Sequence, residues 1–408
     1  MYQRPGGGVS SQPSLRRARI SVSAVFVIHG AVTGSFATRI PWIKDHLHLS
    51  PGQLGLALVA PAVGSFAAMP LAGRLLHARG HRAGIRLLMV LWSAALALPA
   101  LAPNLPALAL ALLCYGATAG VADVAMNAQG VEVEARLGRS IMSGLHGMWS
   151  LGGLIGSAVG VAAAALAVPA PLHLSVMAAV FVAASLLACR NLLDVRPEPE
   201  EEAPPRFTLP PRSALAIGLV GFCAVFAEGA SNDWSGVYLR TVAGASPAVA
   251  AGSFTAFACT MAAARLVGDW AVRRFGTVPT VRGSGALALA GGALVATARG
   301  PVEAISGFAL LGIGIAVVVP LCFAAAGHSG DNPSRAIAGV ATVTYTSSLI
   351  APATIGAIAQ ASSLRVSFGV ITALTTGLIL GARLLAPRTR VRDAEAPAQQ
   401  QTAAQSNT

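Results

Sequence analysis

The residues of this chain with the capacity for chemistry are few and lie in apolar surroundings. The stretch FAEGASNDWSGVYLR, Phe226–Arg240, closes a long apolar run yet carries Glu228, Asn232 and Asp233. An isolated carboxylate taken out of water is costly, so each such acid needs hydration, a proton or a cationic partner. Glu228 and Asp233 stand about 140° apart on a helix and do not share a face. Glu228, Ser231, Asn232 and Ser235 share one, at i, i+3, i+4 and i+7. Depth in the run favours Glu228 as a group that gains and loses a proton, with a packing salt bridge or hydrogen bond as the alternative. Asp233 lies near the end of the run, where pairing with Arg39 competes with a functional role. Asp123 and Asn127, four apart on another run, read as polar cavity groups or a proton site; the alternative is a salt bridge to a loop arginine. His29 and Thr33 are one turn apart in the first run. A histidine there suits a proton relay, or a neutral ring held by hydrogen bonds.

These seven residues need a scaffold that holds acids within apolar sequence. The chain has 408 residues, 54% hydrophobic and only 11% charged, with mean hydropathy +0.66. Soluble domains carry about 25% charged residues. Twelve apolar runs recur, over 20–41, 52–75, 84–103, 106–128, 141–167, 172–193, 213–237, 247–271, 280–298, 302–326, 336–361 and 366–386. Each is long enough to cross about 30 Å of hydrocarbon as a helix, and none alternates as a barrel strand does. The expectation is an all-α integral membrane protein of twelve transmembrane helices with a lipid bilayer as its main partner. The net charge of +12 points to cytoplasmic loops, not to nucleic acid. With the N-terminus inside, 23 of the 28 Lys and Arg residues fall on the inner side; Arg39, Lys44, Arg240, Arg299 and Arg365 fall outside. Both termini are therefore expected in the cytoplasm. The five cysteines lie in apolar runs without a CxxC pair, and read as small core residues. The sequence shows no metal-ligand cluster, no P-loop and no hydrolase or HExxH pattern, so no cofactor is expected and an enzyme is not.

The organisation is 1–19, a cytoplasmic segment; 20–193, a six-helix half; 194–212, an acidic proline-rich cytoplasmic linker; 213–387, a second six-helix half; and 388–408, a low-complexity tail expected to be disordered. The halves carry traces of duplication. IHGAVTGS in the first run aligns with FAEGASND in the seventh. AAMPLAGRLLHARGHR in the second aligns with MAAARLVGDWAVRRFG in the eighth. Parallel halves of this kind are one transporter plan. The stripe Gly152, Gly156, Gly160 predicts close helix approach. His146 and Trp149, and Thr342, Tyr345 and Ser348, read as packing groups.

GRLLHARGHR, Gly73–Arg82, resembles the loop between the second and third helices of the major facilitator superfamily. Gly73, Gly80 and Arg82 match; His77 and Ala78 replace the usual Asp and Arg. RLVGDWAVRRFG looks like the second-half copy, with Arg265, Gly268, Asp269, Arg274 and Gly276 fitting. GVADVAMNAQGVEVE, GLHGMWSLGGLIGS and AEGASNDWSGVYLR resemble a bacterial branch that includes MosC. The resemblance implies two rocking six-helix halves around a cavity lined by the first, fourth, seventh and tenth helices. It also implies a cytoplasmic gate at Gly73, Gly80, Arg82, Arg265, Gly268 and Asp269. The helix-4 arginine of many drug/proton antiporters is missing, with Tyr115 in that region, and the fifth run lacks their Gly-Pro pair.

The function expected is secondary active transport of a small polar solute, coupled to protons, across a bacterial plasma membrane by a monomer. Efflux of a self-made metabolite or drug is the alternative, since the near-exclusive use of Arg over Lys points to a GC-rich genome. A non-transporting membrane sensor is the alternative of another class.

Overall fold

The computed structural model describes residues 12–138, 141–195, 212–327 and 333–386. The first eleven residues, nearly all of the expected linker and the expected tail lie outside the described residues. Among the described residues every regular element is helical.

The first run forms α1 (Gln12–Ala37) and, after a turn at Thr38–Arg39, the short α2 (Ile40–His46). The second run divides into α3 (Pro51–Ala57), α4 (Ala60–Ala68) and α5 (Leu71–Arg79). The third gives α6 (His81–Ala95) and α7 (Leu98–Leu101). Prolines explain these divisions: Pro41, Pro61, Pro70 and Pro99 each stand at or just inside a break. Proline lacks the donor for the preceding turn and crowds its carbonyl. The fourth, fifth and sixth runs are α8 (Leu105–Leu137), α9 (Met142–Ala165) and α10 (Ala170–Ala188). The second half holds α11 (Arg212–Thr241), α12 (Pro247–Phe275) and α13 (Thr277–Thr297). It continues with α14 (Pro301–Ile315) and α15 (Val318–Gly327), parted near Pro320, then α16 (Pro333–Ala361) and α17 (Leu364–Gly381).

The ends of these helices are written into the sequence. Ser50 caps α3 with a reciprocal Gln53 bond, and Asn104, Ser246 and Ser363 cap α8, α12 and α17. At the opposite end of the bundle the turns use glycine. Gly80 (φ 76°, ψ 163°) joins α5 to α6 and Gly276 (φ 86°, ψ 163°) joins α12 to α13. The same left-handed turn at corresponding places, open at no steric cost only to glycine, supports the duplication read from sequence.

Among the described residues, eleven helices or helix pairs are long and apolar enough to cross a membrane. The twelfth expected crossing, α16, forms as one helix of 29 residues but is not among the eleven. Its centre is rich in hydroxyls, including the buried Thr344 and Ser347, and these lower its apolarity. α8 runs past the expected end at 128 to Leu137. Glu132, expected in a solvated loop, thus pairs with Arg136 at 2.6 Å on its last turns. Glu134 accepts from the amides of Ile141 and Met142 and so caps α9.

Glycines set the packing within each half. Cβ atoms at Gly152, Gly156 and Gly160 of α9 would strike Val27, Ala31 and Thr38 of α1. Those at Gly30 and Gly34 would strike Trp149 and Gly153 in return. The expected close approach is therefore present, along the whole face, with α1 as the partner. In the second half Gly218, Gly221 and Gly229 of α11 face Val343, Thr344 and Ala351 of α16 in the corresponding place.

A paired substitution tests this packing. Gly156→Leu forces a side chain into α1 and should lower the unfolding temperature sharply, with a cost of about 1–3 kcal/mol or more. Gly73→Ala, with nothing within 4 Å of the added methyl, should be neutral or stabilising in thermal unfolding of detergent-solubilised protein.

Candidate functional site

Glu228 is the seventeenth of 30 residues in α11, and Arg265 the nineteenth of 29 in the antiparallel α12. The two therefore come level midway along their helices. Arg265 Nη2 lies 3.4 Å from Glu228 Oε1, with side chains 38% and 25% exposed. Arg265 Nε also donates to the carbonyl of Ala316, freed by the break between α14 and α15. The sequence expected Arg265 at a cytoplasmic gate beside Asp269. α12 continues to Phe275, so Arg265 sits deeper than the run boundary implied, and its ion-pair partner is Glu228. Asp269 is exposed one turn further on. Ser231 and Ser235, on the Glu228 stripe, are fully buried, whereas Asn232 and Asp233 are half-buried.

A second cluster belongs to the first half. Trp149 Nε1 donates to His29 Nδ1 at 3.0 Å. An indole nitrogen only donates, so Nδ1 holds the lone pair and the ring proton is on Nε2, 3.4 Å from the Ala119 carbonyl. His29 is thus a neutral ring with both nitrogens engaged. To accept a second proton it must release Trp149. Its face stacks on Trp92 at 5.0 Å, and Trp92 meets Tyr115 at 4.4 Å. Tyr115 in turn is within electrostatic reach of Asp233, and His29 within reach of Asp123. Asp123 is held by Asn127, whose Nδ2 donates to Asp123 Oδ1 at 3.3 Å, and Thr33 bonds back to the His29 carbonyl. Ring contacts thereby run from His29 through Trp92 to Tyr115. The buried Trp92 Nε1 and Tyr115 hydroxyl along them have no partner. Trp149 was read as packing beside His146. The structure turns it onto His29, while His146 lies edge-on to Phe26.

The halves also meet at the end where α1 stops and α12 begins. Arg240 of α11 pairs with Asp45 of α2 at 3.6 Å, and Gln360 accepts from the Gly52 amide at 3.5 Å. α3 and α16 cross at two glycines, where a Cβ on Gly55 would come 2.9 Å from Gly356 and one on Gly356 would come 2.6 Å from the Pro51 carbonyl. Arg39 does not reach Asp233, as expected from sequence; it donates to His173 instead, at 3.0 Å. At the other end, the expected gate residues bond within their own halves. Arg82 donates to the Leu192 carbonyl at 2.9 Å and Gly268 packs on Val317. Gly73 has open space about it, and Gly80 forms the turn described above.

Sequence and shape comparisons agree with this architecture. The chain matches the Major Facilitator Superfamily over residues 22–338. It belongs to that superfamily. An MFS-type transporter of Yersinia pestis is 38% identical over 92% of this chain and 96% of its own length. Membrane protein MosC of Rhizobium meliloti is 31% identical over 88% of each. The crystal structure of the nucleoside transporter NupG superposes with a TM-score of 0.72 at 11% identity, over 90% of this chain and 98% of that one. For this member of the superfamily, Asp45, Arg240 and Trp92 were not singled out from sequence as site residues, and Trp149 was read only as packing. The one available signal was that Arg240 and Asp45 are charges on a side otherwise poor in them.

The contacts at the closed end are testable. Asp45→Asn should raise labelling of a cysteine at position 232 by a maleimide applied from that end about two- to five-fold, the scale of a partly exposed ion pair. Gly356→Leu, which drives a side chain into Gly55 and Pro51, should raise it further. Unchanged labelling in both would mean that these contacts do not close the molecule.

Proposed function

We propose that the chain is a secondary active transporter that carries a small polar solute across a bacterial plasma membrane, coupled to protons, by alternating access between its two halves. In this reading it crosses the bilayer twelve times, α16 included, with both ends in the cytoplasm, and works as a monomer. The observation that carries the reading is the Glu228–Arg265 pair, half-exposed midway along two apolar helices. Ionisable groups at such depth face the interior of a bundle or water, and mark ion and solute paths. Proteins of this superfamily are in general transporters, not enzymes, and two relatives here are a transporter by name and a nucleoside transporter by structure. In this reading Asp45 and Arg240 lie on the outer side, the molecule is closed outward and Glu228 is reachable from the cytoplasm; the Arg240–Asp45 pair supports it.

Glu228 is the favoured proton carrier. When it takes a proton it releases Arg265, and a neutral glutamate beside a free guanidinium is a different binding surface from an ion pair. Asn232, Asp233, Asp123, Asn127, His29 and Thr33 complete the cavity in this proposal. No ion pair among the described residues uses Asp123 or Asp233, and Asp123 accepts from Asn127.

Proteoliposomes test the proposal. Glu228→Gln should abolish pH-gradient-driven accumulation and leave counterflow exchange of solute largely intact. Loss of both would make Glu228 a direct solute ligand. Retention of both would make it a packing residue and move the proton site to Asp123, Asp233 or His29. Absence of solute flux with every candidate solute in wild-type protein would favour a sensor.

A further inference from the structure

Arg39 ends the turn after α1, and His173 stands in the first turns of α10, both near the closed end of the first half. Each is more than nine-tenths buried, at 4% and 5% exposure. Arg39 Nε donates to His173 Nδ1 at 3.0 Å. A guanidinium never accepts, so Nδ1 holds the lone pair and the imidazole proton is on Nε2. Two donors then remain inside the protein with nothing to donate to: Arg39 Nη2–H and His173 Nε2–H.

The charge is as unmatched as the donors. No ion pair among the described residues involves Arg39. The nearby Asp45 is occupied by Arg240 at 3.6 Å and by Lys44 at 3.9 Å. His173 is the fourth residue of the 19-residue α10, so the positive end of that helix dipole adds to the same potential. A buried cation without a counter-charge is strongly disfavoured, and a lone neutral imidazole does not supply one. A buried cation with an unused donor, beside a helix N-terminus, asks for a compact acceptor with negative charge.

We propose that Arg39, held in place by His173, forms a binding site for a small inorganic anion, chloride in the first instance, which neutralises the guanidinium and accepts from Arg39 Nη2. The site ties α1 to α10 beside the contacts that close the molecule, and so favours the closed arrangement of this end. It does not depend on the transport reading, because the ion is held in the scaffold and is not the solute. A lipid phosphate has the same chemistry, but the burial of both side chains favours a free ion.

The test uses the full-length protein, purified in detergent, with unfolding temperature followed as chloride or bromide replaces gluconate at constant ionic strength. The expected result is a saturable rise of several degrees in the wild type. His173→Phe should shift the half-saturating halide concentration at least ten-fold, and Arg39→Gln should abolish the rise. If Arg39→Gln does not fold, His173→Phe decides. Bromide-soaked crystals should show anomalous density within hydrogen-bond distance of Arg39 Nη2. The proposal is overturned if the wild type responds identically to gluconate and halide, or if His173→Phe keeps the full wild-type response. It is likewise overturned if only added phosphatidylglycerol, and no halide, stabilises the protein, which would assign the site to a lipid phosphate.

Discussion

Glu228 and Arg265 face each other at 3.4 Å about midway along α11 and α12. Each charge is costly there alone, since a single ion at the centre of a membrane helix costs about 3 kcal/mol even on the most lenient scales. Together, and with the Ala316 carbonyl, they satisfy one another only while α11, α12 and the break after α14 keep their present relation. That requirement fixes which faces of the second half point inward. It also explains why the tenth run is broken at Pro320: the break frees a carbonyl at the level of the arginine. The first half has no such pair. Its polar centre is a neutral histidine among tryptophans, so the two halves, alike in backbone, differ in electrostatics.

With no water in the bilayer core to drive association, the halves hold together internally by close van der Waals approach. That is the physical role of the glycines on α1, α9, α11 and α16. The same device recurs between the halves, at Gly55 and Gly356. Within a half, the glycine faces run along much of two long helices. Between halves, α9 packs on α12 and α3 crosses α16.

The twelve runs are legible in sequence because length and apolarity are summed properties, insensitive to errors of a few residues. Their internal breaks at Pro61, Pro99 and Pro320 were not read out, though the prolines were plain to see. A proline in an apolar run is compatible with a continuous helix, as Pro352 in α16 demonstrates, and only tertiary context separates the two cases. The candidate acids were visible as charges in apolar sequence. Their partners were not. Glu228 and Arg265 are 37 residues apart and meet because two helices are antiparallel and in register. Arg39 offered Asp233 as a partner by charge alone, whereas the fold supplied an imidazole. Trp149 and His29 are joined by a glycine seam whose existence, but not whose partner helix, could be read in advance.

Magnitudes bear on how such a molecule changes state. The Arg240–Asp45 pair has side chains 34% and 46% exposed, and pairs of that kind contribute about 0–1 kcal/mol. It cannot by itself hold one end shut; the Gly55–Gly356 crossing, which excludes water over a small dry patch, carries more. Yet that patch is short, because Asp45, Pro51, Gly52 and Gln360 bound it with polar groups. The closed end is therefore held by a small sum of weak terms, within reach of what one proton or one solute can supply. Glu228 lies on the same unbroken helix as Arg240, twelve residues or about 18 Å away. A change in what Glu228 binds acts on α11 midway, and α11 passes the displacement to its end as a rod. The charge that is costliest to leave unpaired and the contact that is easiest to release are thus carried by one rigid element.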